Sequence, residues 1–117
     1  MQINISTRHG SVSEQTRSKI LAKLEKLERY FGRLTQIEVT IDLERRDEPA
    51  VDIKVHAEHR RDFVASFRSG DLLSSVDQAV HKVEEQLRRY KQRIQERHRA
   101  GGSRHGEVSE EGSSGPA

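Results

Sequence analysis

Between Asp71 and Arg99 the chain carries one unbroken apolar stripe, and that stripe limits what the rest can be. Leu72, Val76, Val80, Val83, Leu87, Tyr90 and Ile94 recur at steps of three and four, the spacing of one face of an α-helix. At about 100° per residue, Val76 through Ile94 stay within roughly 40° of a common line. Such a helix draws its stability from packing its stripe on another surface. Its length suits it to cover a sheet and then run past it. Lys82, Gln86, Arg89, Arg93 and Arg97 follow the same steps along one flank of the stripe, while Asp77 and Glu84 sit on the other. The helix therefore has a core edge and a basic edge.

The preceding residues supply the surface to be covered. Gln2 to Thr7 alternates polar and apolar around Ile3 and Ile5, which predicts a short strand ended by His9-Gly10. Ser13 is placed to cap a helix over Glu14 to Phe31, with Glu14 complementing the helix dipole in the first turn. Ile20, Leu24, Leu27 and Phe31 form its stripe, with Leu21 at the margin, and Gly32 suits the left-handed residue that ends it. Lys19, Lys23, Lys26 and Arg29, with Tyr30 beside them, lie to one side; Glu14, Glu25 and Glu28 lie to the other. Strict alternation then predicts strands over Ile37 to Leu43, Val51 to Ala57 and Phe63 to Phe67, separated by the polar run Arg45 to Ala50 and by a turn at His59 to Asp62. Asp71 is placed to cap the long helix.

The order β-α-β-β-β-α defines an α+β fold. The last three strands form an antiparallel meander, and the first, joined through a helix, can pair in parallel, giving a four-stranded mixed sheet. Each strand has one apolar face, so two helices cover one face of the sheet in a two-layer domain. Residues 1–99 make this domain. Residues 100–117, AGGSRHGEVSEEGSSGPA, have almost nothing to bury and read as a disordered Gly/Ser/Glu tail. With 32% hydrophobic residues against 34% charged, the core is thin.

Residues 1–99 hold 20 Lys and Arg against 16 Asp and Glu, a net +4, whereas the tail is −2. The ordered part thus favours a polyanionic partner. The absence of cysteine excludes disulfides and thiolate chemistry. No apolar run approaches the roughly 18 residues of a membrane span. The opening MQINIST has no signal-peptide pattern, so a cytoplasmic protein is expected. His56-Ala57-Glu58-His59 does not make a metal site, because on a strand His56 and Glu58 point away from Ala57 and His59. His81, a histidine within a helix body, has no evident partner, and no Gly-rich phosphate loop occurs. No enzyme, cofactor, small-molecule substrate or metal ligand is expected. The sorted basic flanks carry the functional signal: rows of cations about 5–6 Å apart match successive phosphates of RNA. Few aromatics accompany them, Tyr30 being the best placed to stack, so RNA would be read by shape and phosphates.

The opening MQINIS, KLEKLERYFGRL at Lys23 to Leu34, FVAS at Phe63 to Ser66, the pair Asp71 and Asp77, and Lys82, Gln86-Leu87, Arg89 and Arg93 together resemble the ribosome hibernation factors, also called ribosome-associated inhibitors. The resemblance covers about residues 1–99 and implies a four-stranded sheet with two helices on one face. It implies a short-form factor that binds the small ribosomal subunit and its 16S-type rRNA in the decoding channel, inhibits translation and stores idle ribosomes under stress or in stationary phase. It carries the basic residues over to Lys23, Lys26, Lys82, Arg89 and Arg93; spacing alone adds Arg29, Tyr30, Gln86 and Arg97. The chain departs from the family pattern at Leu72-Leu73, at Glu85 and at His81. When free, the protein is expected to be a monomer. Two other readings are a generic double-stranded-RNA module and a regulatory adaptor working through the polar sheet face.

Overall fold

A computed structural model describes residues 1–102, with side chains to Gln95 apart from Arg60. It divides into two compact units, Met1–Leu87 and Arg88 onward, each described by itself. In the first unit β1 (Gln2–Arg8) leads to α1 (Glu14–Phe31), then β2 (Leu34–Asp42), β3 (Ala50–Ala57), a 3-10 turn (Glu58–Arg60), β4 (Arg61–Arg68) and the opening turns of α2 (Leu72–Gly102). The order and the mixed sheet match the sequence expectation. Strands lie in the order β1-β2-β3-β4, with β1 parallel to β2 and the other neighbours antiparallel.

The register sorts the two faces. Ile3, Ile37, Val55 and Phe63 form one row, and Ile5, Val39, Ile53 and Ala65 the next. In each row the β2, β3 and β4 members are buried and the β1 member half-buried. The helices add Ile20, Leu24, Leu27, Phe31, Val76, Ala79, Val80, Val83 and Leu87 to this face. At about 25 cal/mol per Å² of apolar surface, each fully buried Leu or Ile contributes on the order of 2 kcal/mol. Burial is what selects the register, because a slip of one residue would turn every core side chain outward.

Local chemistry sets the helix ends. Ser13 Oγ accepts the Thr16 N–H at 3.1 Å, Gly32 takes a left-handed φ of 44°, and the Gly32 N–H donates to Glu28 O. Asp71 Oδ2 accepts the Ser74 N–H at 2.8 Å at the start of α2. Buried Ser75 is satisfied by Ser69, with the hydroxyls 2.6 Å apart.

Several boundaries differ from the sequence reading. β2 begins at Leu34, because Leu34 pairs with Ala57 across an irregularity that alternation does not register. β4 begins at Arg61, which pairs with Ala57 and continues the ladder past the apolar residues. Glu58 belongs to the 3-10 turn, so it does not share a strand face with His56. Helix α2 extends three residues past Arg99 to Gly102. The remainder of the expected tail, from 103 onward, lies outside the described residues. Within α2 full burial ends at Leu87; Tyr90 and Ile94, read as stripe residues, are half-buried.

Candidate nucleic-acid interface

Topology decides what each helix flank meets. Helix α1 packs against β1 and β2. The start of α2 follows β4 and reaches that strand's carbonyls. Because β1, β2 and β4 run the same way, both helices must run back over the sheet in one common direction. Both also carry their bases on the same hand of the stripe. Parallel elements with the same sidedness put the basic flank of one against the acidic flank of the other. Lys23 Nζ on α1 accordingly lies 2.8 Å from Asp77 Oδ1 on α2.

Within the first unit, the basic flank of α2, at Lys82 and Gln86, faces the open edge of the sheet. Lys82 Nζ donates to Ser66 O at 3.0 Å and stands 5.1 Å over the Phe67 ring. Gln86 Nε2 donates to Val64 O at 2.9 Å. Ser66 and Val64 are two apart on β4, an edge strand whose outward carbonyls have no strand partner. The other edge is treated alike: Arg17 Nη1 on α1 donates to Ile5 O of β1 at 3.2 Å. Spacing does not single out Arg17, since its partner lies on a strand 12 residues away.

The site residues expected from sequence therefore fall into groups. Lys26 and Arg29 on α1 are exposed, and so is Tyr30, at 46%. Lys23, Lys82 and Gln86 each hold a partner within the fold. The structure places Lys23 between the helices and Lys82 and Gln86 at the β4 edge. In the second unit Arg89 and Arg93 are exposed helical residues. The Arg97 side chain lies outside the described residues. His81 is not without a partner: its Nε2 is 3.4 Å from Glu85 Oε2 and its Nδ1 3.9 Å from Glu84 Oε1, one helical turn on. Glu85 is thereby turned toward His81, a role not visible from its place in the basic run.

The face of the sheet opposite the helices is polar and cross-linked. His56 is bracketed by Glu38 of β2 and Asp62 of β4. Ser66 donates to Asp52. At one end His9 Nδ1 lies 2.9 Å from Asp42 Oδ1, which also accepts the Glu44 N–H at 3.0 Å. The His9 hydrogen bond, then that of the Glu44 backbone, holds the Asp42 carboxyl below its ordinary value. His9, Asp42 and Glu44 offer ligand atoms within 4.8 Å of one another, but at the surface and with Asp42 already satisfied internally. None of the helices is long and apolar enough to cross a membrane, among the described residues.

Comparison with known proteins places this geometry. Residues 3–95 match the model of the sigma 54 modulation protein / S30EA ribosomal protein family. A ribosome hibernation promoting factor of Pseudomonas putida is 26% identical over 103 residues, covering 81% of this chain and 91% of its own length. That of Escherichia coli strain K12 is 28% identical over 96 residues, covering 82% and 99%. The fold is also that of a ribosomal subunit interface protein from Coxiella burnetii, with TM-score 0.70, 24% identity, and coverage of 78% of this chain and 98% of that one. The N-terminal domain of Thermus thermophilus Protein Y superposes with TM-score 0.68 at 23% identity, covering 77% and 99%. The family match takes in α1 with its caps, α2 as far as Gln95, and all four strands apart from Gln2, and the chain belongs to the S30EA ribosomal protein family.

Proposed function

We propose that the protein is a ribosome hibernation factor that inhibits translation by binding the small ribosomal subunit through its helical layer, in the decoding channel. It would act in the cytoplasm under stress or in stationary phase. The observation that carries this reading is the family match over residues 3–95, which spans both basic flanks up to Arg93. Relatives named ribosome hibernation promoting factor at 26% and 28% identity support it.

Phosphate contact is assigned to Lys23, Lys26, Arg29, Lys82, Arg89, Arg93 and Arg97, with Tyr30 as the stacking group and Gln86 beside them. The bonds within the fold grade these residues. An ammonium group has three donors, so Lys82 can keep Ser66 O and still present two N–H groups to a phosphate. Gln86 already spends one of its two N–H donors on Val64 O and is the weaker ligand. Lys23 would share its charge between Asp77 and RNA. Lys26, Arg29, Arg89 and Arg93 are exposed and carry the main contact.

The test is co-sedimentation with purified small subunits. Arg89→Glu with Arg93→Glu should abolish binding at physiological salt and leave the unfolding midpoint unchanged. For the unaltered protein, binding should fall steeply with salt, with a log–log slope of roughly −0.7 to −0.9 for each phosphate contact made. Unaltered co-sedimentation of the double variant sinks the assignment. Preference for a plain RNA duplex over the subunit would favour a generic double-stranded-RNA module instead.

A further inference from the structure

His56 sits on β3 with its ring between two carboxylates from the strands on either side. Nε2 lies 2.6 Å from Glu38 Oε2 of β2, and Nδ1 lies 2.8 Å from Asp62 Oδ1 of β4. A neutral imidazole has a single N–H, so one nitrogen would turn a lone pair toward a carboxylate at hydrogen-bond distance. Only the imidazolium gives each carboxylate a proton. The ring is about a quarter exposed, at 26%, so the charges are partly shielded from water. We propose that His56 is a proton-operated clasp: as an imidazolium it ties β2, β3 and β4 together across the open face of the sheet, and it lets go as the pH rises.

The surroundings favour the cation. Lys54, on the same face of β3, is the register partner of Glu38 and is the opposing charge. Two carboxylates touch the ring directly, whereas Gln36, the β2 register partner of His56, is neutral. Glu58 and Arg61 follow at the β3–β4 turn and offset each other in sign. The core residues of both helices belong to the opposite face of the sheet. The Glu38 hydrogen bond raises the His56 pKa above its ordinary 6.5, burial of the ring works against this, and Asp62 adds to the rise.

A raised pKa in the folded state sets the direction of the effect. The added stability is fully present below the unfolded value near 6.5 and is lost as pH rises through the higher folded value. Asp62 is also the second residue of the strand whose Val64 and Ser66 carbonyls hold Gln86 and Lys82, so the clasp fixes the base of that edge.

Two measurements on the full chain test it, from about pH 5.5 to about pH 9. In an NMR titration the His56 ring should titrate above an ordinary histidine, and Glu38→Gln should bring it down. In urea unfolding, the wild-type unfolding constant should rise relative to that of His56→Gln by up to about tenfold per pH unit between the unfolded and folded pKa values. A His56 ring that titrates at or below 6.5, or equal pH slopes for the two proteins, overturns the clasp. If His56→Gln does not fold, the ring titration in wild type and Glu38→Gln decides alone.

Discussion

Replacing Lys82 and Gln86 together by methionine asks whether the basic flank of α2 is also a structural element. Methionine keeps the helix propensity and the aliphatic cover of both side chains, so the change removes donors and little else. The hydrogen bond from Gln86 to Val64 O is a neutral one, worth about 1 kcal/mol net. The Lys82 bond to Ser66 O is charge-assisted but exposed, which brings it to about 1 kcal/mol, and the cation over Phe67 adds roughly 0.5 kcal/mol. The two carbonyls stay within reach of water, so no penalty for a buried unsatisfied acceptor applies. The total is about 2–3 kcal/mol. For a domain of this size, each kcal/mol moves the midpoint by about 4–8 °C, so thermal unfolding followed by circular dichroism should show a drop of at least about 8 °C. A β4 edge whose Val64 and Ser66 carbonyls have lost their donors is also a template for strand pairing, so sedimentation velocity should show association that grows with concentration. A midpoint within about 2 °C of wild type and a monomer at every concentration would refute the edge-covering role. The flank would then be ordinary solvated surface, open to RNA alone.

Gly32→Ala tests the C-cap of α1. The residue has φ of 44° with nothing within 4 Å of an added Cβ, so the cost is purely conformational, about 1 kcal/mol, read as a shift in the urea midpoint at unchanged slope. Asp42→Asn tests the other end of the pH range. Because the Asp42 pKa is lowered in the fold, its stabilisation is present above the unfolded value of 3.8 and lost as pH falls through the lower folded value. Acid unfolding from about pH 5 to about pH 2 should therefore be steeper for wild type than for Asp42→Asn, and equal profiles would remove the His9–Asp42 pair from the account.

The sequence by itself determined the elements and their caps, since these depend on neighbours a few residues away. The stripe Ile20, Leu24, Leu27 and Phe31 is buried as its spacing requires, and Ser13, Gly32 and Asp71 cap as their chemistry requires. The charge sorting on both helices was equally legible, but its meaning was not. Spacing on one helix gives only the direction of a side chain about its own axis. What lies in that direction depends on strand order and on which way each helix runs back. The partners of Lys23, Lys82 and Gln86 lie on another helix or at an edge strand, 16 and 22 residues away for the last two. The His56 bracket needs three strands in register, with Glu38 18 residues distant, so alternation could place the ring on a face but not between two carboxylates. Tertiary structure alone decided that two of the cations proposed for RNA, Lys23 and Lys82, also tie one helix to the other and cover the edge of the sheet.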